Sequence, residues 1–489
     1  MHNGVLSIFR FSSLSGRFAA PVFIMTSLGP IFADDLARVK PGDRLRLTIS
    51  AQTSDAAALA QAALEARARG ERVLVVCADP ADVPRLAQEM PWFEPKLDVR
   101  PLPDWETLPY DVLSPQEELV SERLEALYRL TAPTGGADVL LTSAVTASQR
   151  LSPVSYIGAN TFFFHQGEQI SLTTLQKRLA AAGYANVKQV LAAGEFAVRG
   201  SIVDVFPMGS ERPFRLDFFD DEIESIRWFD VDTQRSMESA EEIRLLPGHE
   251  FPVDPEALLA FRQRWRREFA GDPKKSIVYC DIEKEILPPG IEYYLPLFFD
   301  ETAALTDYLP PNARVFLLGD IEAALQAFGR DMASRYKVLA ADPQRPALAP
   351  ERIWLKPEEF FKSLANFARF TVEKKENAED LKRLSGIEVD RKSQNPVGKL
   401  LERTCESAMK GVRTLIAAPS AGRMETMSQL LRTGGLSVEE FPDWQTFLEA
   451  DSSLSIAAAP LFSGAVFHHP EIVILSEAEL YAAAIVCAA

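Results

Sequence analysis

Between Phe196 and Phe229 the apolar residues fall in short runs separated by Gly, Pro and acidic residues, not at helical spacing. Phe196–Phe206 and Phe214–Phe219 are rich in Phe, Val and Ile. The intervening Pro207-Met208-Gly209-Ser210-Glu211-Arg212-Pro213 predicts a hairpin loop longer than two residues. Asp220-Asp221-Glu222 predicts a second turn into Ile223–Phe229. Strand side chains alternate between faces. With the hairpin centred near Ser210, Ile202, Phe206, Phe214, Leu216 and Phe218 form a core face, with Asp204 as its exception. The opposite face then carries Arg199, Ser201, Val203, Arg215, Asp217 and Phe219.

Arg and aromatic residues are the types enriched at binding hot spots, so Arg199, Arg215 and Phe219 form a candidate partner-binding set. The structural alternative pairs both arginines with acids such as Asp217 and Asp221 and uses Phe219 to cover a sheet edge. A one-residue slip in register would scatter the set.

The flanking sequence has a different rhythm. From Arg44, strand patterns (Arg44–Ser50, Arg72–Cys77, Leu97–Leu102, Asp138–Thr142) alternate with helix patterns (Asp55–Arg69, Pro80–Met90, Pro115–Leu130). This alternation predicts a parallel sheet over residues 44–153. Residues 154–248 break it with strands and one helix, Ser171–Gly183, and read as an inserted α+β unit. The α/β pattern returns over 249–372, with a strand at Arg314–Leu318 and a helix at Ile321–Tyr336, and should complete the interrupted sheet. Residues 373–397 are charged and read as a linker, and a small α/β domain occupies 398–489. Residues 1–43 read as a separate extension. Arg10 and Arg17 make it unlike a membrane span or a signal peptide, and Met25 is a candidate start.

Composition narrows the chemistry. The 489 residues carry a formal charge of −17, which disfavours sequence-independent phosphate binding. Cys77, Cys280, Cys405 and Cys487 are far apart and His468-His469 has no ligand partners at metal spacing, so a reducing cytoplasm and no metal site are expected. The turn after the first strand reads Ser50-Ala51-Gln52-Thr53-Ser54-Asp55. It lacks the glycines and lysine that cradle phosphate, and Asp55 would repel it. No ATPase activity and no catalytic residue are expected. In Asp104–Asp111, Trp105, Leu108 and Tyr110 read as an aromatic plug that the fold buries.

The stretch VRGSIVDVFPMGSERPFRLDFFDDEIESIRWFD and Asp104-Trp105-Glu106-Thr107-Leu108-Pro109-Tyr110-Asp111 resemble the amino-terminal module of the bacterial transcription-repair coupling factors. That module is similar to the excision-repair protein UvrB, and the likeness extends more weakly from about Arg44 to Leu480. It implies a degenerate helicase-like (UvrB-like) parallel-sheet domain, interrupted by the inserted α+β domain and followed by the small α/β domain. It also implies that the inserted domain binds UvrA, with Arg199, Arg215 and Phe219 matching the family's contact positions. No cofactor is implied for this chain. ATP and magnesium belong to the full-length family's translocase domains, and RNA polymerase and DNA are contacted through further domains. No membrane partner is implied. Ala482–Ala489 departs from the family pattern, and the chain reads as ending before those further domains. The alternative is an ATP-dependent DNA-remodelling enzyme of the UvrB or helicase kind, against which the missing phosphate loop counts.

Overall fold

The computed structural model describes residue 36 and residues 38–132, 136–390 and 392–481. Most of the expected extension, and the tail Ala482–Ala489, lie outside the described residues. The near end of that extension belongs to the fold: Leu36 is buried and the Gly42 N–H donates to the Phe367 carbonyl.

A six-stranded parallel sheet is assembled from both sides of the insertion. Its order is Arg44–Ser50, Ala368–Lys375, Arg314–Leu318, Val73–Cys77, Val139–Ser143 and Val99–Pro101. Val73–Cys77 and Val139–Ser143 are buried at every position, as strands covered on both faces must be. The alanine-rich helix Asp55–Ala68 lies close on one face because its small side chains permit it. Burial pushes the Cys77 thiol up to about 12, leaving it an inert core group.

The insertion forms its own six-stranded sheet in the order Ser236–Ala240, Glu222–Phe229, Phe214–Phe219, Ile202–Val205, Glu195–Arg199 and Ala185–Asn186. Only the last pair is parallel. The helix Leu172–Ala181 lays Leu175 and Leu179 into the same core as Phe196, Val203, Leu216 and Phe218.

After the insertion an aromatic cluster gathers Trp105, Phe251, Phe261, Trp265, Tyr293 and Trp354. Trp105 and Tyr110 are taken into it, at 5.4 and 6.0 Å from the Tyr293 ring. Leu108 departs from the expected plug. Glu106 and Tyr110 adopt positive φ, and Leu108 remains 58% exposed beside Val112 and Leu113. Beneath this loop Glu292 accepts a hydrogen bond from Ser114 at 2.8 Å. Burial raises its carboxyl to about 7. Its folded value therefore lies above its unfolded one, and the neutral form is favoured by folding. The resulting stability is complete below about 4.5 and is lost as pH rises through about 7. Urea unfolding of Glu292→Gln should show an advantage over wild type that is about 2 kcal/mol larger at pH 8 than at pH 5.5. An advantage independent of pH would mean that Glu292 does not titrate in this range.

The first part of the charged segment 373–397 carries regular structure. Glu373–Lys375 extend a sheet strand, and Ala378–Leu384 is a helix whose Asp380 is fully buried. Ser50 donates to Asp380 at 2.7 Å, and His468 Nε2 lies 3.1 Å from it. The last domain has the strand order Glu439–Phe441, Leu454–Ala458, Arg413–Ala418, Glu471–Leu475 and Ala465–His468. Its Trp444, Phe447 and Phe467 share a core with Leu47, Leu86 and Phe93 of the first sheet domain, so the two domains are docked through apolar surface. Among the described residues no helix is long and apolar enough to cross a membrane.

Candidate partner-binding site

The segment Phe196–Phe206 is not one run. Gly200 at φ +64° and Ser201 turn it into a tight hairpin of Glu195–Arg199 and Ile202–Val205. Only glycine adopts that conformation without strain. The register across the following loop places Ile202 opposite Asp217, Val203 opposite Leu216 and Asp204 opposite Arg215. Even positions thus pair with odd ones, one residue away from the expected register. Val203 and Val205 enter the core in place of Ile202 and Phe206, while Phe214, Leu216 and Phe218 stay in it.

The slip moves Asp204 from the core face to the arginine face and brings Arg199 and Arg215 together around it. Asp204 is almost completely buried. It accepts from Arg215 Nε at 2.7 Å and Nη2 at 3.0 Å, and also pairs with Arg199 Nη2. The partner acid is therefore Asp204 and not Asp217 or Asp221; Asp217 instead accepts from Ser225 at 2.9 Å. Arg215 is further held by the Gln234 carbonyl and Ser236, and its guanidinium lies 5.0 Å from the Phe229 ring centroid. The hydrogen bonds to Asp204 raise the Arg215 pKa above its ordinary value. Arg199 leaves about half of its side chain, 48%, in solvent.

Phe219 ends the strand Phe214–Phe219 on this same face and is 69% exposed. Since the Phe218 N–H donates to the Ser201 carbonyl, Phe219 sits beside the Gly200-Ser201 turn, at the end of the sheet that carries Arg199. Phe219 does not cover a sheet edge, because its strand is paired on both sides. Arg227, which sequence reasoning did not single out, lies directly opposite Arg215 and is exposed. Its alternation in Glu222–Phe229 is the signal that could have found it. Like charges opposite one another oppose strand pairing, and a buried carboxylate below them offsets that repulsion. The face can thus offer cationic donors and an apolar anchor to an acidic, partly apolar surface.

The turn after the first strand has an unexpected occupant. Ser54 caps the helix Asp55–Ala68 by accepting from Ala57, and the Asp55 carboxylate accepts from the Ala56 N–H at 2.9 Å. Arg85 reaches the Asp55 carboxylate at 2.8 Å, and Lys374 reaches the same carboxylate at 2.7 Å. Burial would raise this carboxyl, but the two cations hold it below its ordinary range. The last domain closes over the turn: Thr53 donates to the Val466 carbonyl, and the Val466 N–H donates to Gln52. Elsewhere, Arg423 in the first turn of the helix Ala421–Thr433 is tied to Glu477 at 2.6 Å. Among the described residues no cluster could hold a metal ion.

Comparisons with known proteins coincide with these units. The family model described as UvrB interaction domain matches residues 162–251, and the one described as MFD, D3 domain matches residues 408–480. The chain is 38% identical to the transcription-repair-coupling factor of Escherichia coli over 367 residues, covering 73% of this chain and 31% of that protein. The corresponding factor of Haemophilus influenzae is 40% identical over 344 residues, or 68% and 29% of the two chains. That of Bacillus subtilis is 32% identical over 216 residues, or 41% and 18%. The matches thus span less than a third of the length of these relatives. Together, the two domain matches and these identities place the chain with the amino-terminal region of the transcription-repair coupling factor family.

Proposed function

We propose that this chain is a non-catalytic recruitment module of transcription-coupled nucleotide-excision repair, which brings UvrA to RNA polymerase stalled at a DNA lesion. The inserted domain makes the UvrA contact, on the face formed by Arg199, Arg215 and Phe219. The observation that carries the reading is the presentation of these residues: a buried Asp204 fixes two guanidiniums on the sheet face that also carries an exposed Phe219, within the segment matched by the UvrB interaction domain. Pre-positioned arginines lose little conformational freedom on binding, and an exposed aromatic ring supplies apolar area at low entropic cost. The sheet domain is a degenerate UvrB-like helicase fold without a working phosphate site. Asp55 supports this, because its carboxylate already takes a helix N–H and two cations at the turn where a nucleotide phosphate would need them. ATP, magnesium, RNA polymerase and DNA are then engaged by other regions of the family's full-length proteins.

Amide hydrogen exchange with and without UvrA tests the assignment. UvrA should protect amides in 195–205 and 214–229 and leave those of the parallel sheet unchanged. Protection confined to the sheet domains would place the contact elsewhere. Saturable, magnesium-dependent ATP binding by the chain would overturn the non-catalytic reading.

A further inference from the structure

A second surface is built where the insertion meets the sheet domain. A groove of about 460 Å3 runs between the helix Glu117–Thr131, the strand Val99–Pro101 and the loops around Ala193 and Gly209. Pro101, Ala126, Ala193 and Phe206 give it apolar walls, and Leu191 stands at its lip with 57% of its surface in solvent. The walls are fixed. The Gly209 N–H donates to Ser121 at 2.7 Å, and Glu125 is held by Arg244 and by Arg129. A Cβ on Gly209 would come within 2.6 Å of the Glu125 carboxylate, so close approach of the two units requires glycine there.

The rim is acidic and unneutralised. Glu118, Glu122 and Glu211 line it, and among the described residues none of them has a cation at ion-pair distance. Their neighbours are more carboxylates. Partial desolvation, reinforced by Glu195 and Glu118, raises the carboxyl of Glu117, and partial desolvation with Glu106 raises that of the still largely exposed Glu122. Arg100 is the basic residue in the lining, and Asp98 holds it at 2.6 Å. Such a rim is relieved by an incoming cation.

We propose that this groove is a second docking site, which takes a basic peptide segment of a partner protein with an apolar side chain inserted against Leu191 and Phe206. Lysines or arginines of the segment meet Glu118, Glu122 and Glu211. Val99–Pro101 is an edge strand, but Pro101 offers no N–H, so the segment docks by its side chains and does not add a strand. The site is separate from the arginine face. Glu195, which binds the Leu191 and Ala192 amides, lies at the opposite end of its strand from Arg199. The two surfaces select opposite charge, one acidic partner surface and one basic segment.

Fluorescence anisotropy of the full chain with three short labelled peptides tests this. A Leu/Lys amphipathic peptide should bind saturably, while Lys/Ser and Leu/Glu peptides of equal length bind at least about tenfold more weakly. Leu191→Ser, and Glu118→Lys with Glu122→Lys, should each weaken the Leu/Lys peptide by about tenfold; all three side chains are exposed, so these variants fold. Equal affinity for the Lys/Ser peptide would reduce the groove to diffuse charge attraction and overturn the proposal. Indifference of the Leu/Lys peptide to both variants would do the same. Self-association of the chain in sedimentation velocity, abolished by Leu191→Ser, would identify a second copy as the occupant and overturn the partner assignment.

Discussion

Arg123→Met should lower the unfolding free energy by about 4 kcal/mol, the range for removing one partner of a buried pair. Arg123 is fully buried, and Glu250, across the insertion in sequence, is 3% exposed. Their side chains meet twice, at 2.5 and 3.2 Å. Arg123 also donates to the Pro103 carbonyl at 2.7 Å and lies 5.3 Å from the Trp105 ring, whose Nε1 shares the Glu250 carboxylate. Methionine fills much of the space but leaves Glu250 charged, desolvated and without its cation. That carboxylate carries most of the penalty, so adding Glu250→Leu should restore over half of the loss. Urea unfolding followed by tryptophan fluorescence reads both variants. A loss under about 1 kcal/mol in Arg123→Met, or a double variant worse than the single, would show that the pair does not join the sheet domain to the segment behind the insertion.

Asp204→Asn should lower stability by about 2 kcal/mol and weaken UvrA binding about 30-fold, a change of about 2 kcal/mol in affinity. Asparagine preserves shape and removes the charge on which both guanidiniums converge. Arg215, with 15% of its side chain exposed, is left desolvated opposite Arg227. Arg199 is more exposed and swings into solvent, so two cationic contacts lose their positions without being deleted. Because Asp204 is buried it cannot touch the partner itself, and its effect on affinity measures positioning alone. Circular dichroism and calorimetry on the same samples separate folding from binding. An unchanged affinity in a folded Asp204→Asn chain would mean that the arginines bind without their buried anchor, or not at all.

The parallel sheet was legible because its strands, such as Val73–Cys77 and Val139–Ser143, are apolar on both faces and separated by clear helices. Leu454–Ala458 was not, since LSIAA is built from small residues with little strand character and earns its place by burial. Charge misled the reading of 373–397 as a linker. Its Asp380 and Arg383 are joined to Ser50, His468 and Glu471, so the charges fasten two domains together. In the insertion, the odd-numbered face with Arg199, Arg215 and Phe219 survived a wrong register because the error fell on the neighbouring strand Ile202–Val205. The turn at Gly200-Ser201 was concealed inside an apolar run, and pairing across it depends on tertiary contacts that spacing alone does not encode. Asp204 read as an exception on the core face for the same reason, although it organises the site.

The most direct measurement is a calorimetric titration of UvrA with the purified chain and with Phe219→Ala, each checked for folding by circular dichroism. Phe219 is the best probe because its exposed ring makes no large contribution to the fold. The wild type should bind saturably, and a folded Phe219→Ala chain should lose at least about 30-fold in affinity. Equal affinity of the two chains, or no binding by a folded wild type, would contradict the proposed function and leave the arginine face a structural feature of the insertion.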